Sequence, residues 1–208
     1  AEGNTAVGNS AMQNNTTGTE NVAVGSGALT TNVTGVNGTA VGNDALKLNT
    51  GDSNSAFGRR ALCTNSSGSA NVALGVNALL SNTTANDNVA VGNAALTTNT
   101  TGCENTAVGR CALKANTTGI RNVAVGKGAL KTNITGSSNV AIGREALGVA
   151  TNNNNTSVGF DSMQATTTGA DNTAVGMKAL FTNTIGIGNT AIGTYALQAN
   201  TTACENTA

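Results

Sequence analysis

The chain contains no histidine, proline or tryptophan, and aromatic residues fill 2% of its 208 positions. Each absence excludes something. Without histidine, imidazole-based triads and metal sites are closed, and a serine or cysteine nucleophile would have no ordinary base. With so few aromatics, a core built on bulky side chains is out of reach. Charge is scarce as well: ten Lys and Arg balance ten Asp and Glu, with no run of either sign. A sequence of that kind shows no electrostatic footprint for nucleic acid or for an anionic membrane. No stretch approaches the roughly 20 apolar residues of a membrane span, and no charged-then-apolar signal peptide opens the chain. The expectation is a protein that is not an enzyme, carries no cofactor or metal, binds no nucleic acid and does not itself insert into a membrane.

What is present is small and regular. Ala, Val and Leu supply most of the apolar residues, while Asn, Thr, Ser and 27 Gly supply much of the rest. A zero net charge and evenly spaced aliphatics argue against disorder. A search for internal periods then decides the fold class. Units begin at Asn4, Asn21, Gly38, Asn54, Asn71, Asn88, Asn105, Asn122, Asn139, Asn155, Asn172 and Asn189, and another opens at Asn206. Their consensus is N-[TV]-A-V-G-x-x-A-L-x-x-N-T-T-G-x-x. Ten units are 17 residues long, and those starting at Gly38 and Asn139 are 16, each shortened in the N-T-T-G segment. Residues 1–208 are thus read as one repeat domain. Because the chain begins and ends inside a repeat, it is expected to be a piece of a longer fibre protein.

Position 5 is glycine in every unit: Gly8, Gly25, Gly42, Gly58, Gly75, Gly92, Gly109, Gly126, Gly143, Gly159, Gly176 and Gly193. Such strictness marks a positive φ or a backbone approach that tolerates no Cβ, so these residues are read as the structural corners of the coils. Positions 3 and 8 are Ala except at Ser157 and Ser162, position 4 is always a larger apolar residue such as Val7, Phe57 or Leu74, and position 9 is always Leu or Met. Positions 3, 4, 8 and 9 are the predicted core. The twofold period of a strand sets positions 2 and 4 on one face and position 3 on the other. Since both faces are small or apolar, the Ala face is expected to meet an opposite sheet or a neighbouring chain. The unit is read as a strand over N-[TV]-A-V-G, a second strand over x-A-L-x-x, and a turn over N-T-T-G. A helix fails on propensity, because glycines, β-branched residues and the N-T-T tract leave no uninterrupted window. The fold class is all-β: a parallel β-solenoid, or β-roll, of about twelve 17-residue coils. A lone coil cannot offset its ordering entropy, so stability must come from stacking.

The strings Asn21-Val22-Ala23-Val24-Gly25, Asn122-Val123-Ala124-Val125-Gly126 and Asn139-Val140-Ala141-Ile142-Gly143 resemble the S-V-A-I-G-x-x-A repeat of trimeric autotransporter adhesin heads. The longer form, with its N-T-T-G turn, is also similar to repeats in phage and large-virus fibre proteins. The resemblance covers essentially the whole chain. It implies a left-handed coil, a homotrimer of chains packed side by side, and a location on a cell or virion surface. There the chain would serve as the head or shaft of an adhesin or fibre, attaching to a host-surface receptor or glycan.

Individual residues add candidates. Glu20, Asp44, Asp52, Asp87 and Glu145 occur singly and read as solvated charges. Cys63, Cys103, Cys111 and Cys204 lack C-x-x-C spacing and read as free thiols, with interchain bridging or a Cys103–Cys111 pair as alternatives. Asn15, Asn32, Asn65, Asn82, Asn99, Asn116, Asn133 and Asn200 at position 12 begin N-x-[ST] sequons. They are candidate glycosylation sites in a secreted chain, or else ordinary turn residues that stack between coils. Recognition is assigned to the variable positions 6, 7, 10, 11, 16 and 17, which include Arg59, Arg60, Lys127, Phe181 and Tyr195. Thr-rich solenoids raise a second class, ice binding. It is disfavoured because adjacent Thr pairs would point to opposite sides and the position-2 Thr is expected to face inward. A purely structural filament subunit is a further alternative.

Overall fold

One three-residue strand forms per repeat, at positions 2 to 4, where β-branched residues flank an alanine. The structure is a computed structural model and describes residues 1–208. It contains two compact units, Ala1–Glu104 and Asn105–Ala208. The first holds β1 (Thr5–Val7), β2 (Val22–Val24), β3 (Thr39–Val41), β4 (Ser55–Phe57), β5 (Val72–Leu74) and β6 (Val89–Val91). The second holds β7 (Thr106–Val108), β8 (Val123–Val125), β9 (Val140–Ile142), β10 (Thr156–Val158), β11 (Thr173–Val175) and β12 (Thr190–Ile192). Within each unit every strand pairs in parallel with the next in sequence. The register is strict: Ala6, Ala23, Ala40, Ala56, Ala73 and Ala90 lie side by side in the first unit. Ala107, Ala124, Ala141, Ser157, Ala174 and Ala191 do so in the second. Each unit is therefore a parallel β-solenoid, all-β and without helices.

The expected second strand is absent, and backbone geometry explains why. The Leu or Met at position 9 has φ between 47° and 51° in all twelve coils, and position 7 lies between 52° and 71°. Left-handed residues cannot continue a strand, whose φ is strongly negative. The segment x-A-L-x-x is instead a pair of tight turns. The position-8 amide donates to the position-5 carbonyl, as from Ala28 to Gly25 (3.3 Å), and the position-12 amide donates to position 9, as from Asn32 to Leu29 (3.3 Å). These turns still feed the stack: the Leu29 amide donates to Ala45 of the following coil at 3.1 Å, and the Thr31 amide to Lys47 at 3.0 Å. The left-handed leucine costs about 1–2 kcal/mol relative to ordinary backbone. Its side chain is wholly buried and its amide is bonded, which over-determines the conformation.

The corner glycines need their freedom twice over. At position 5 φ runs from 131° to 140°, a region that side chains rarely enter. A Cβ on Gly42 would also stand 2.7 Å from the Gly58 carbonyl of the following coil, and one on Gly109 would stand 2.6 Å from that of Gly126.

The core differs from the expected one at position 4. Ala at positions 3 and 8 and Leu at position 9 are completely buried through the interior coils, as at Ala23, Ala28 and Leu29 or Ala124, Ala129 and Leu130. Position 4 points outward, with Phe57 at 40%, Leu74 at 48% and Ile142 at 42% exposure. Its partner on that face, position 2, is mostly half-buried. The Ala face is thus the inner wall of the coil, opposite the second Ala and the leucine. With the leucine filling the interior, the strand wall facing it has room only for a small side chain, so the larger residue takes the outer face. Where serine replaces both alanines, the polar atoms are satisfied internally. Ser157 Oγ donates to the Ser162 carbonyl at 2.9 Å, and Ser162 Oγ reaches the Ala174 carbonyl at 3.4 Å.

Candidate binding surface

Two internal columns of asparagine tie the N-T-T-G turn to the residue just before the strand. At position 1, Asn71 Nδ2 donates across its own coil to the Ala85 carbonyl at 2.8 Å, and its amide N–H donates to Asn54 Oδ1 at 3.0 Å. The same pattern recurs from Asn122 to Gly136 (2.8 Å) and to Asn105 (3.0 Å). At position 12, Asn82 Nδ2 donates to Ala85 three residues on (3.0 Å) and to Asn65 Oδ1 of the preceding coil (2.7 Å). Asn32, Asn65, Asn82, Asn99, Asn116 and Asn133 are completely buried, and Asn15 and Asn200 in the end coils are half-buried. The sequon asparagines therefore form a ladder inside the solenoid. A glycan on Nδ2 would displace bonds made in the core.

The two 16-residue coils interrupt this ladder. In the coil from Gly38, Asn49 bonds forward, accepting from Asn65 Nδ2 at 2.6 Å, but its own Nδ2 donates only to Gly51. Asn32 Oδ1 is left buried and unpartnered as a result. In the coil from Asn139, Ala150 occupies position 12 and Thr166 follows it, and both Asn133 Oδ1 and Thr166 Oγ1 are buried without partners. In the first the shortened turn leaves Asn49 bonded within its own turn and not to its lower neighbour, and in the second Ala150 has no side-chain amide to donate.

Outside, two kinds of surface are displayed. The first is the sheet face of positions 2 and 4. Successive coils lie about 4.8 Å apart and alternate residues of a strand about 6.6–7 Å apart, so the face is a near-rectangular lattice of side chains, β-branched except at Ser55, Phe57 and Leu74. The second is the set of variable turn residues. Arg59, Arg60 and Lys127 are exposed, as is Tyr195. Phe181 is half-buried beneath Lys178, whose Nζ stands 5.2 Å from the ring centroid. Arg144 stands likewise 5.2 Å over Phe160.

No known family, curated protein or solved structure matches this chain. What it can do must therefore be argued from these surfaces.

The four cysteines are free thiols. Cys103 and Cys204, both at position 16, stand where other coils place a side-chain oxygen. The Asn86 amide reaches Cys103 Sγ at 3.4 Å, just as the Ser69 amide reaches Asn86 Oδ1 at 2.7 Å. Their place in the coil is that of a backbone acceptor. The outward direction of position 4 is the surface feature that sequence reasoning missed. The available signal was the Ala at position 3, replaced only by Ser157, which marks the narrow side of the strand.

Proposed function

We propose that the chain is a structural and binding solenoid, wound left-handed, that assembles as a homotrimer in the head or shaft of an extracellular adhesin or virion fibre and mediates surface attachment. The observation that carries this reading is the outward column at position 4. In each unit a stripe of exposed and half-buried Val, Ile, Leu and Phe on a sheet face calls for a cover. Identical chains related by a closed symmetry can supply it, because each offers the same stripe. The variable turns then remain free to recognise a receptor. Light scattering in native buffer should give three times the chain mass. Leu74→Glu with Val91→Glu on the outer face should reduce it to a monomer while the far-ultraviolet circular dichroism is retained. A monomeric parent chain would sink the trimer.

Ice binding is the second reading, and the outward direction of position 2 favours it. Thr39, Thr106, Thr156 and Thr173 sit half-buried on the same face as the apolar position-4 column. A flat lattice of methyl and hydroxyl groups is the kind of surface ice would need. The two readings compete for one face, since a trimer that covers it leaves no array for ice. Thermal hysteresis from a monomeric chain would favour this second reading over the first.

A further inference from the structure

The zero net charge of the chain conceals a separation. Residues 1–104 hold three Lys and Arg against six Asp and Glu, a net charge of −3, whereas residues 105–208 hold seven against four, a net charge of +3. Part of the positive charge is stacked. Arg110, Lys127 and Arg144 all occupy position 6, on three successive coils. Backbone bonds fix their register: the Gly128 amide donates to the Arg110 carbonyl, Glu145 to Lys127, and Asp161 to Arg144, each at 3.0 Å. Lys131, at position 10, comes in from the neighbouring turn. Arg110, Lys127 and Lys131 line one shallow depression of about 260 Å³, with Glu145 beside them. All four cations are exposed, and none forms an ion pair. Like charges repeating about every 4.8 Å repel one another, and a ligand with anionic groups in a row would relieve that repulsion.

We propose that this basic ladder of the second unit binds a linear acidic polysaccharide, with the chain lying along successive coils and its sulfate or carboxylate groups facing Arg110, Lys127, Lys131 and Arg144. The inference rests on the reading of the chain as an extracellular binding solenoid and assigns that reading a ligand class. A polysaccharide is favoured over a single-stranded nucleic acid because bases need stacking platforms between the cations. None lies there. The one ring nearby, Phe160, takes position 6 of the next coil, beyond the cations rather than between them, and Arg144 stands 5.2 Å over it. Glu145 is the one carboxylate in the depression, and it opposes the ligand.

Asn occupies position 6 in other coils, at Asn9, Asn43 and Asn93, so the triple variant Arg110→Asn, Lys127→Asn, Arg144→Asn suits the coil. Titration calorimetry of the full chain should show binding to heparin or to hyaluronan that weakens steeply with salt, and a preference between the two distinguishes sulfate from carboxylate. The triple variant should lose at least about tenfold in affinity, and Glu145→Gln should gain. Absent binding to both, unchanged affinity in the triple variant, or tighter binding of single-stranded oligothymidylate would each overturn the proposal. Light scattering on the same samples separates the two readings. A trimer that binds neither polysaccharide overturns the ligand alone, and a monomer that binds overturns the trimer alone.

Discussion

The units Ala1–Glu104 and Asn105–Ala208 each carry six strands on the same coil plan, yet the first is acidic and the second basic. Inside, they share the Ala walls, the left-handed leucine, the corner glycine and the two Asn columns. Outside, one pairs Lys47 with Asp44 and sets Arg59 beside Arg60, and the other stacks Arg110, Lys127 and Arg144. The contrast teaches that in a solenoid the interior answers to the stacking geometry, which is the same for every coil, while the turns are free to differ. Each unit also contains one short coil, and the Asn ladder breaks there in both, at Asn32 and at Asn133. The second break runs longer, because Ala150 and Thr166 follow one another at position 12.

If the interiors are equivalent, damage to them should not distinguish the units. Gly42→Ala and Gly109→Ala should each cost about 3–6 kcal/mol, since both demand a backbone region closed to alanine and drive a Cβ into a carbonyl. Urea denaturation compares the two, and a benign substitution in either unit would break the equivalence. A smaller effect should separate intact from interrupted ladders. Asn82→Ala removes bonds on both sides of Asn82, including the one donated by Asn99 to its Oδ1 at 3.1 Å, whereas Asn133 Oδ1 has no partner to lose. Asn82→Ala should therefore cost about 1 kcal/mol more than Asn133→Ala in the same assay. The smallest effect should be a gain. Arg60 and Lys178 at position 7 have φ of 58° and 53°, and Gly27 and Gly128 already fill that position elsewhere. Arg60→Gly and Lys178→Gly should each stabilise by up to about 1 kcal/mol through relief of left-handed strain. A loss at Lys178 but not at Arg60 would reveal what the contact with Phe181 is worth, because Arg60 makes no ring contact.

Much of the coil was legible in the residues. The period, the parallel stacking and the burial of Ala23 or Leu29 all follow from strict columns of one residue type. The outer face was not legible, because alternation in Val22-Ala23-Val24 says which side chains share a face and is silent on which face is inside. The leucine turn was misread for a related reason. Leucine has no preference for positive φ, so nothing in Ala28-Leu29 announces that the chain reverses there. The Asn columns were visible as a pattern, but a sequon and a turn residue look the same until the amide is seen bonded to the coil below. The basic ladder escaped notice because charges 17 residues apart form no run in sequence.

By itself, the sequence determined that this chain must repeat, stack and fill a narrow core with small side chains, since no other arrangement buries Ala and Leu at fixed intervals without helices. The tertiary structure decided what faces the solvent and which distant residues become neighbours. Stacking turns a separation of 17 residues into about 4.8 Å, and only once the coils are in register do three scattered cations become one surface.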